Sequence, residues 1–241
     1  MAKQLYILGS GDSGWGFEKR AFPEGSEVWG VNNMPIKHPS VPWTRIFEVH
    51  RFSRKGETWL RKGQEMFRDL TVNDYVDKLN ALGIPIYVLD HPEYPFTNAV
   101  TIDLPTLRSR YRDFFSTTLS YELALALEES FSSIELLGVD MTLSSEYRDQ
   151  RPSVAYFAGL AEGRGVIVTL PDDSPLLKND YAYGLGESSL TLWDMRINAL
   201  RSYNEKEIRK YESLIDQHKG SLLTLNTMIE FYTTLQKGYA K

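Results

Sequence analysis

Short apolar segments alternate with longer segments of helical spacing along most of the chain, and this alternation restricts the fold more than any other feature of the sequence. The apolar segments are Gln4–Leu8, Glu27–Val31, 45–49, 85–89, Ser133–Leu137 and 165–170. Apolar residues recur at helical spacing in residues 58–82 and 120–129. Strands that alternate with helices predict an α/β fold with a mostly parallel sheet and flanking helices.

The end of the chain, residues 192–237, has a different composition. It is rich in Glu, Lys, Arg, Leu and Ile, has no proline and contains a single glycine, Gly220. This pattern predicts two amphipathic helices joined near Gly220, a C-terminal helical hairpin. The hairpin would either pack on the sheet or join copies of the chain as a homo-oligomer. The predicted organisation is an α/β domain at residues 1–180 and a helical extension at residues 181–241.

The composition excludes several kinds of site. A length of 241 residues favours one main core. The chain has no cysteine, which removes disulfides, thiolate zinc sites and cysteine nucleophiles. Its four histidines include no H-x-x-x-H pair, so no metal site is predicted. The N-terminal residues show neither a signal-peptide pattern nor an apolar span, and we expect a cytoplasmic protein without a membrane span.

A glycine-rich turn follows the first predicted strand. It has the pattern G-x-G-x-x-G, formed by Gly9, Ser10, Gly11, Asp12, Ser13 and Gly14. Between a strand and a helix, such glycines let the backbone approach a ligand, and free N–H groups at the helix start bind phosphate. Glycine turns are also plain connectors, but the preceding strand favours nucleotide binding here.

The second predicted strand ends in Asn32 and Asn33, where a dinucleotide-binding enzyme usually has an acidic residue that holds the ribose. Amides can bond a ribose or a base edge through donor and acceptor atoms alike. The two asparagines can equally be turn residues before Met34. An NAD-dependent oxidoreductase is therefore only a second alternative.

Two later elements add polar groups to the same predicted edge of the sheet. Thr117 and Thr118 open a predicted helix, where hydroxyl groups can cap the helix and face a ligand. The strand after that helix ends in Gly138 and Asp140. Open α/β sheets bind ligands at the carboxyl ends of their strands. All four residues are therefore predicted to bind the nucleotide.

In the order of these motifs, the chain resembles a superfamily of bacterial lipooligosaccharide sialyltransferases and motility-associated flagellin-glycosylation proteins, including small phage-encoded members. The resemblance covers about the first 170 residues, and it rests on Gly9-Ser-Gly11, Asn32, Thr117-Thr118, and Leu137-Gly-Val-Asp140 followed by Tyr147. It implies a modified Rossmann-like fold and a nucleotide-sugar donor, with no other cofactor. It also implies that Tyr147 stabilises the departing phosphate. Thr142 stands where the family has a second tyrosine.

Two residues at the end of the third predicted strand are candidates for proton transfer. His50 can remove a proton from an acceptor hydroxyl, because imidazole titrates near neutral pH. The alternative is a loop histidine bonded to the backbone. Glu48 lies two residues earlier, so it shares a strand face with His50 and can orient the imidazole or act as the base itself.

Arginines flank the tyrosine in the segment 147–151. Arg151 is predicted to clamp a phosphate, together with Arg148, because guanidinium groups match phosphate geometry. Ion pairs with Asp149 or Glu146 are the alternative.

Basic residues gather between Arg51 and Arg68, although the formal net charge is −5. They are Arg51, Arg54, Lys55, Arg61, Lys62 and Arg68, with Arg45 shortly before them and a second group at Arg108, Arg110 and Arg112. Such residues either cover solvated helix faces or form a rim for a polyanion. The negative total argues against general nucleic-acid binding.

These features predict a glycosyltransferase that moves a sugar from a nucleotide-sugar to an acceptor hydroxyl. The phage-like resemblance makes a hydroxymethylated base in phage DNA a candidate acceptor, with the Arg51 to Arg68 segment guiding the strand in the host cytoplasm. The alternative from a different class is a non-catalytic protein that binds or sequesters a nucleotide.

Overall fold

The computed structural model describes residues 3–13, 16–62, 70–90, 93–141, 145–178 and 189–239. The chain divides into two compact units, Met1–Asn179 and Asp180–Lys241. The first unit contains the sheet, and the second contains one long helix.

The first unit is built on a parallel sheet. In chain order the strands are β1 (Gln4–Leu8), β2 (Glu27–Val31), β3 (Arg45–Phe47), β4 (Phe52–Lys55), β5 (Thr58–Arg61), β6 (Ile86–Val88), β7 (Ala99–Thr101), β8 (Ser133–Leu137) and β9 (Ile167–Thr169). Seven of them form one sheet in the order β7-β6-β3-β2-β1-β8-β9, and every neighbouring pair in it is parallel. The predicted α/β fold with a mostly parallel sheet is confirmed.

The helices are α1 (Met34–Lys37), α2 (Val72–Ala81), α3 (Leu104–Arg110), α4 (Thr118–Glu128), α5 (Ser145–Gly163) and α6 (Ser189–Tyr239). Helix α2 begins at a capping box, in which the Asp74 N–H donates to Thr71 Oγ1 at 3.1 Å and the Thr71 N–H donates to Asp74 Oδ2 at 3.3 Å. These two bonds satisfy groups that a helix start otherwise leaves unpaired.

The prediction of one helix over residues 58–82 is wrong in its first part. Strands β4 and β5 form an antiparallel hairpin, in which Phe52 pairs with Arg61 and Arg54 pairs with Trp59. Gly56 adopts a φ of 63° in the turn between them, a conformation that favours glycine. The apolar residues of β5 therefore lie on a strand, and helix α2 begins at Val72.

Both faces of the sheet are covered, as a parallel sheet requires. Leu5 and Ile7 of β1 pack into one apolar cluster with residues of α4 and α5. Tyr6 and Leu8 point to the other face and pack with residues of α2. This burial on both faces explains why the strands appear as continuous apolar runs in the sequence.

The second unit shows that the predicted hairpin near Gly220 is wrong, because α6 is one helix of 51 residues that continues through this glycine. A glycine that ends a helix usually takes a positive φ, and Gly220 is not among the glycines that do. The Thr224 hydroxyl donates to the Gly220 carbonyl at 3.1 Å. Glycine in a helix interior costs only about 1 kcal/mol, which flanking helix formers offset. In the described parts of the chain, no helix is long and apolar enough to cross a membrane.

Candidate functional site

The carboxyl ends of four adjacent strands bring most of the predicted site residues to one edge of the sheet. Strands β3, β2, β1 and β8 are neighbours in that order, and a predicted site segment follows each of them. Helix α4 begins toward the same edge of the sheet. The Ser132 N–H, shortly after the end of α4, donates to the Lys3 carbonyl, just before β1. The end of α4 therefore lies at the opposite edge, where β1 begins.

The glycine turn after β1 is bonded to the loop after β8. The Gly11 N–H donates to the Gly138 carbonyl at 2.7 Å, and the Gly138 N–H donates to the Ser13 carbonyl at 2.8 Å. The Ser13 N–H donates to Asp140 Oδ2 at 2.9 Å. The expectation of free N–H groups for a phosphate is therefore wrong for Gly11 and Ser13, because both groups already have partners inside the protein.

The glycines are required by this contact between two loops. A Cβ atom at Gly9 would lie 2.5 Å from the Gly138 carbonyl oxygen, and one at Gly11 would lie 2.7 Å from Asp140 Oδ2. Gly138 itself has a φ of 65° and would place a Cβ 2.6 Å from the Gly9 oxygen. Close approach of the two loops thus explains Gly9 and Gly11 without a ligand.

Other parts of the turn differ from the prediction, are exposed, or are buried without a partner. The helix after the turn is a 3₁₀ helix of three residues, Phe17–Lys19, and not the start of an α-helix. Ser10 and Asp12 are exposed. The Ser13 hydroxyl and Asp140 Oδ1 are buried without a hydrogen-bond partner among the described residues. Gly14 lies outside the described residues.

The asparagines after β2 have different surroundings. Asn32 adopts a φ of 51°, and its Oδ1 accepts a bond from Arg61 Nη2 at 3.2 Å. The Asn33 carbonyl accepts bonds from the N–H groups of Ile36 and Lys37, both at 3.1 Å, at the start of α1. Asn33 therefore begins a helical turn, whereas the Asn32 side chain joins the polar groups at the end of β3.

A buried network surrounds the carboxylate of Glu48, which is 1% exposed. Glu48 Oε2 lies 2.9 Å from Arg61 Nη2 and accepts a further bond from the Tyr75 hydroxyl. Glu48 Oε1 accepts the backbone N–H of His50 at 3.1 Å and lies 2.7 Å from His50 Nδ1. Glu48 and His50 are therefore in contact, but the predicted shared strand face is wrong, because β3 ends at Phe47.

Opposing effects set the charge of this carboxylate. Burial raises the pKa of Glu48, but the hydrogen bond from His50 and the charge of Arg61 outweigh burial, so the pKa lies below its ordinary value. Burial, followed by the nearby Glu48 charge, raises the pKa of Tyr75 well above its ordinary value. Glu48 is therefore an anion at neutral pH, and Tyr75 is a neutral donor to it.

The network orients the imidazole of His50, whose side chain is 33% exposed. Its Nδ1 atom lies near Glu48 Oε1 and also 2.8 Å from Arg61 Nη2. A carboxylate can only accept a hydrogen bond and a guanidinium can only donate one, so the Glu48 contact favours a proton on Nδ1 and the Arg61 contact favours a lone pair there. We assign the proton to Nδ1, because the Arg61 guanidinium does not depend on this nitrogen. Arg61 has Glu48 and Asn32 as other acceptors. This tautomer leaves the lone pair of Nε2 available for a substrate proton.

Sequence reasoning missed the roles of Arg61 and Tyr75. For Arg61 both sequence-based alternatives, a solvated helix face and a rim for a polyanion, are wrong, because the residue is on a strand, 4% exposed and paired with Glu48. In the hairpin Arg61 pairs with Phe52, which is buried. This pairing indicates that the Arg61 side chain is buried as well. Tyr75 lies within the apolar pattern of α2, and nothing in that pattern separates it from an ordinary core residue.

Other predicted cations are also engaged. Arg45 pairs with Glu27 and Glu129. Arg110 pairs with Glu128, and Arg108 Nε lies 2.8 Å from Asp113 Oδ1. Exposed side chains without an ion pair to any described residue remain on the hairpin and beside it, at Arg51, Arg54, Lys55 and Lys62. Arg68 lies outside the described residues.

The remaining predicted residues lie near the start of α4 and in α5. Thr117 precedes α4, and its N–H donates to Ser120 Oγ at 3.3 Å. Thr117 and Thr118 are half-buried. Arg151 Nε donates to the Leu176 carbonyl at 2.9 Å, and its Nη2 donates to the Pro175 carbonyl at 2.5 Å, so this guanidinium holds a neighbouring loop. The side chains of Tyr147, Arg148 and Glu146 lie outside the described residues.

Among the described residues, no cluster of three or more His, Asp or Glu side chains has the geometry of a metal site.

Comparison with known proteins gives similarity at the level of solved structures. No family model matches the chain, and no curated protein sequence matches it. The sialyltransferase CstII from Campylobacter jejuni, solved with CMP-3FNeuAc, aligns at 12% identity over 80% of this chain and 98% of its own, with a TM-score of 0.45. CstII solved with cytidine-5'-monophosphate aligns at 12% identity over 81% and 98%, with a TM-score of 0.43. The monofunctional α-2,3-sialyltransferase Cst-I from the same organism aligns at 13% identity over 84% and 94%, with a TM-score of 0.42. Similarity of this degree does not assign an activity to the chain.

Proposed function

We propose that the chain is a glycosyltransferase that moves a sugar from a nucleotide-sugar donor to an acceptor hydroxyl. One observation supports this most strongly: His50 at the carboxyl end of β3 is held by the buried carboxylate of Glu48, with Nδ1 2.7 Å from Oε1. A base held in this way by a carboxylate is suited to remove a proton from a hydroxyl.

The proposed reaction uses the free nitrogen of this imidazole. His50 Nε2 takes the proton of the acceptor hydroxyl as the acceptor oxygen bonds to the sugar carbon. The bond from that carbon to the donor phosphate breaks at the same time, and the phosphate oxygen leaves with the electron pair. Glu48 keeps the imidazole oriented and stabilises the imidazolium that forms.

The proposed donor site is the edge formed by the loops after β1, β2 and β8. The exposed Ser10 and the Asn32 amide are available to a ribose or a phosphate. Ser13 Oγ and Asp140 Oδ1 are buried without a partner among the described residues, and Asp140, which can only accept a hydrogen bond, would suit a ribose hydroxyl and not a phosphate. Buried polar atoms without a partner are costly, and a ligand hydroxyl would satisfy them. On the family resemblance, Tyr147 would stabilise the departing phosphate.

The proposed acceptor is a hydroxymethylated base in phage DNA. The exposed cations of the hairpin region lie just beyond His50 in sequence and would contact the phosphate backbone. The target base would have to leave the stack, at a cost of about a few kcal/mol. A carbohydrate acceptor would not need these cations, so the salt dependence of acceptor binding separates the two.

The test measures donor turnover and donor binding separately. Nucleotide-sugars of uridine, cytidine, guanosine and adenosine are screened for sugar release and for a rise in melting temperature. In the His50→Ala variant, turnover should fall by about 10²- to 10⁴-fold, while nucleotide affinity stays nearly unchanged. His38→Ala is the matched control, because His38 pairs with Glu18 away from Glu48.

Full activity in His50→Ala would show that His50 is not the base. Nucleotide binding without turnover of any donor would favour the non-catalytic, nucleotide-sequestering alternative.

A further inference from the structure

Helix α6 exposes an apolar stripe that the proposed transferase activity does not explain. From Ile208 to Tyr232, large apolar residues are spaced alternately three and four residues apart, with His218 in the same series. The apolar members are between 43% and 63% exposed. Long helices in proteins owe most of their stability to the packing of such a stripe. The stripe therefore requires a covering surface.

The spacing is that of a coiled coil. Ile208, Ile215, Leu222 and Ile229 occupy the first apolar position of successive heptads, and Tyr211, His218, Leu225 and Tyr232 occupy the second. A sustained repeat of 3.5 residues keeps one stripe facing a partner helix along its whole length. A helix with the same repeat is a surface that fits this stripe.

We propose that the covering surface is α6 of a second copy of the chain, aligned antiparallel and centred between Asp216 and Gln217. In this alignment Ile208 packs against Leu225 of the second copy, and Tyr211 packs against Leu222 of the second copy. By the two-fold symmetry of the pair, each contact occurs twice.

Charges beside the stripe select this alignment. Glu212 and Lys219 follow the second apolar position of their heptads, at the edge where antiparallel helices bring like positions together. The proposed centre places Glu212 beside Lys219 of the second copy, twice. Opposite charges at these edges set the partner and orientation of coiled coils.

Other alignments bring like charges together. Moving the centre by half a heptad toward the C-terminus places Lys219 beside Lys219 of the second copy. Moving it by the same amount toward the N-terminus places Glu212 beside Glu212 of the second copy and Glu205 beside Lys219 of the second copy. That alignment is rejected by the stripe itself, because it sets the polar Asn204 and Arg201 against Leu222 and Leu225 of the second copy. A parallel pair in register places Glu207 beside Glu212 of the second copy. One helix thus supplies both halves of a complementary pattern, which is the reason to infer a second copy.

The first test exchanges the charges in the full-length chain. Light scattering after size exclusion should show a dimer for the wild type. Glu212→Lys and Lys219→Glu should each raise the dimer dissociation constant by about tenfold or more, and the double variant should restore it. Arg209→Glu is the matched control, because position 209 faces away from the stripe. All three positions are exposed, so helicity by circular dichroism should not change.

The second test uses the absence of cysteine in the chain. Chains with Ile208→Cys are mixed with chains with Leu225→Cys and oxidised. The antiparallel pair should form a disulfide between the two kinds of chain. A parallel pair would instead join Ile208→Cys chains to each other, and that product would overturn the proposed orientation.

A monomeric wild type at high concentration would overturn the proposal, as would a dimer that persists unchanged in Leu222→Glu or in both single charge reversals. These outcomes are independent of the proposed activity, because no residue of the catalytic or donor site is altered.

Discussion

Arg61 Nη2 lies 2.9 Å from Glu48 Oε2, and neither side chain is more than 2% exposed. The hairpin of β4 and β5 follows β3 and folds back, so that Arg61, the last residue of β5, reaches the end of β3. Burying two charges costs several kcal/mol each, which their mutual attraction offsets only while both are present. The pair also holds the imidazole of His50 through Glu48. Loss of Arg61 should therefore affect stability and the candidate base together.

Removal of the cation from this pair should be strongly destabilising. In Arg61→Met the Glu48 carboxylate stays buried without its cation, and we expect a loss of about 3–5 kcal/mol in the free energy of unfolding, measured by urea denaturation. Arg54→Met on the same hairpin is exposed and should change stability by less than about 0.5 kcal/mol. Equal losses in the two variants would contradict a special role for the buried pair.

The same carboxylate predicts a loss of stability in acid. Its pKa is lower in the folded chain than its ordinary value. Its contribution is therefore fully present above the ordinary carboxylate range and disappears as the pH falls through the folded pKa. Urea denaturation across the acidic range should show a smaller pH dependence for Glu48→Gln than for the wild type. An unchanged pH dependence would argue against this assignment.

Glu122 on α4 should have the opposite pH dependence. Burial raises the pKa of Glu122 well above its ordinary value, and neither carboxyl oxygen has a partner among the described residues. Because the pKa is raised, the contribution of Glu122 to the free energy of unfolding is fully present below the ordinary carboxyl pKa. It is lost as the pH rises through the pKa of the folded chain.

Glu122→Leu should remove the cost of burying a carboxyl group without a hydrogen-bond partner. It should therefore raise the free energy of unfolding by about 1–3 kcal/mol at neutral pH. The gain over the wild type should grow with pH in urea denaturation. Glu162→Leu on α5 is the control, because Glu162 is exposed. A gain that shrinks with rising pH would contradict the prediction.

Contact between the turns after β1 and β8 should make Gly138 intolerant of a side chain. Gly138→Ala requires a positive φ of an alanine and brings its Cβ within 2.6 Å of the Gly9 oxygen. We expect a loss of about 1–3 kcal/mol or more, measured by thermal and urea denaturation. Gly159→Ala in α5 has open space around it and should instead stabilise by about 0.5–1 kcal/mol. Tolerance of alanine at Gly138 would show that the two loops can separate.

The continuity of α6 predicts the effect of a substitution at its glycine. Gly220→Ala meets no atom within 4 Å and lies in the interior of the helix. Helicity by circular dichroism should therefore rise, and the helix should gain about 1 kcal/mol. In a hairpin hinged at this glycine, alanine would disturb the turn and lower stability, so the sign of the change separates the two arrangements.

The sequence by itself determined six of the seven strands of the sheet and the proximity of Glu48 and His50, but not strand β7. Buried strands of a parallel sheet are apolar on both faces, whereas all three residues of β7 are exposed. Glu48 and His50 are two residues apart in the segment that follows β3. Both features are local, so the chain order alone contains them.

Only the tertiary structure decided which charged and polar groups of the site are paired within the protein. Arg61 looks like a surface cation until the hairpin brings it to Glu48, and the N–H groups of Gly11 and Ser13 look free until the loop after β8 meets them. Gly220 looks like a hinge until the helix continues through it. Each outcome depends on contacts between distant segments or on the free energy of a whole element, and a local pattern contains neither.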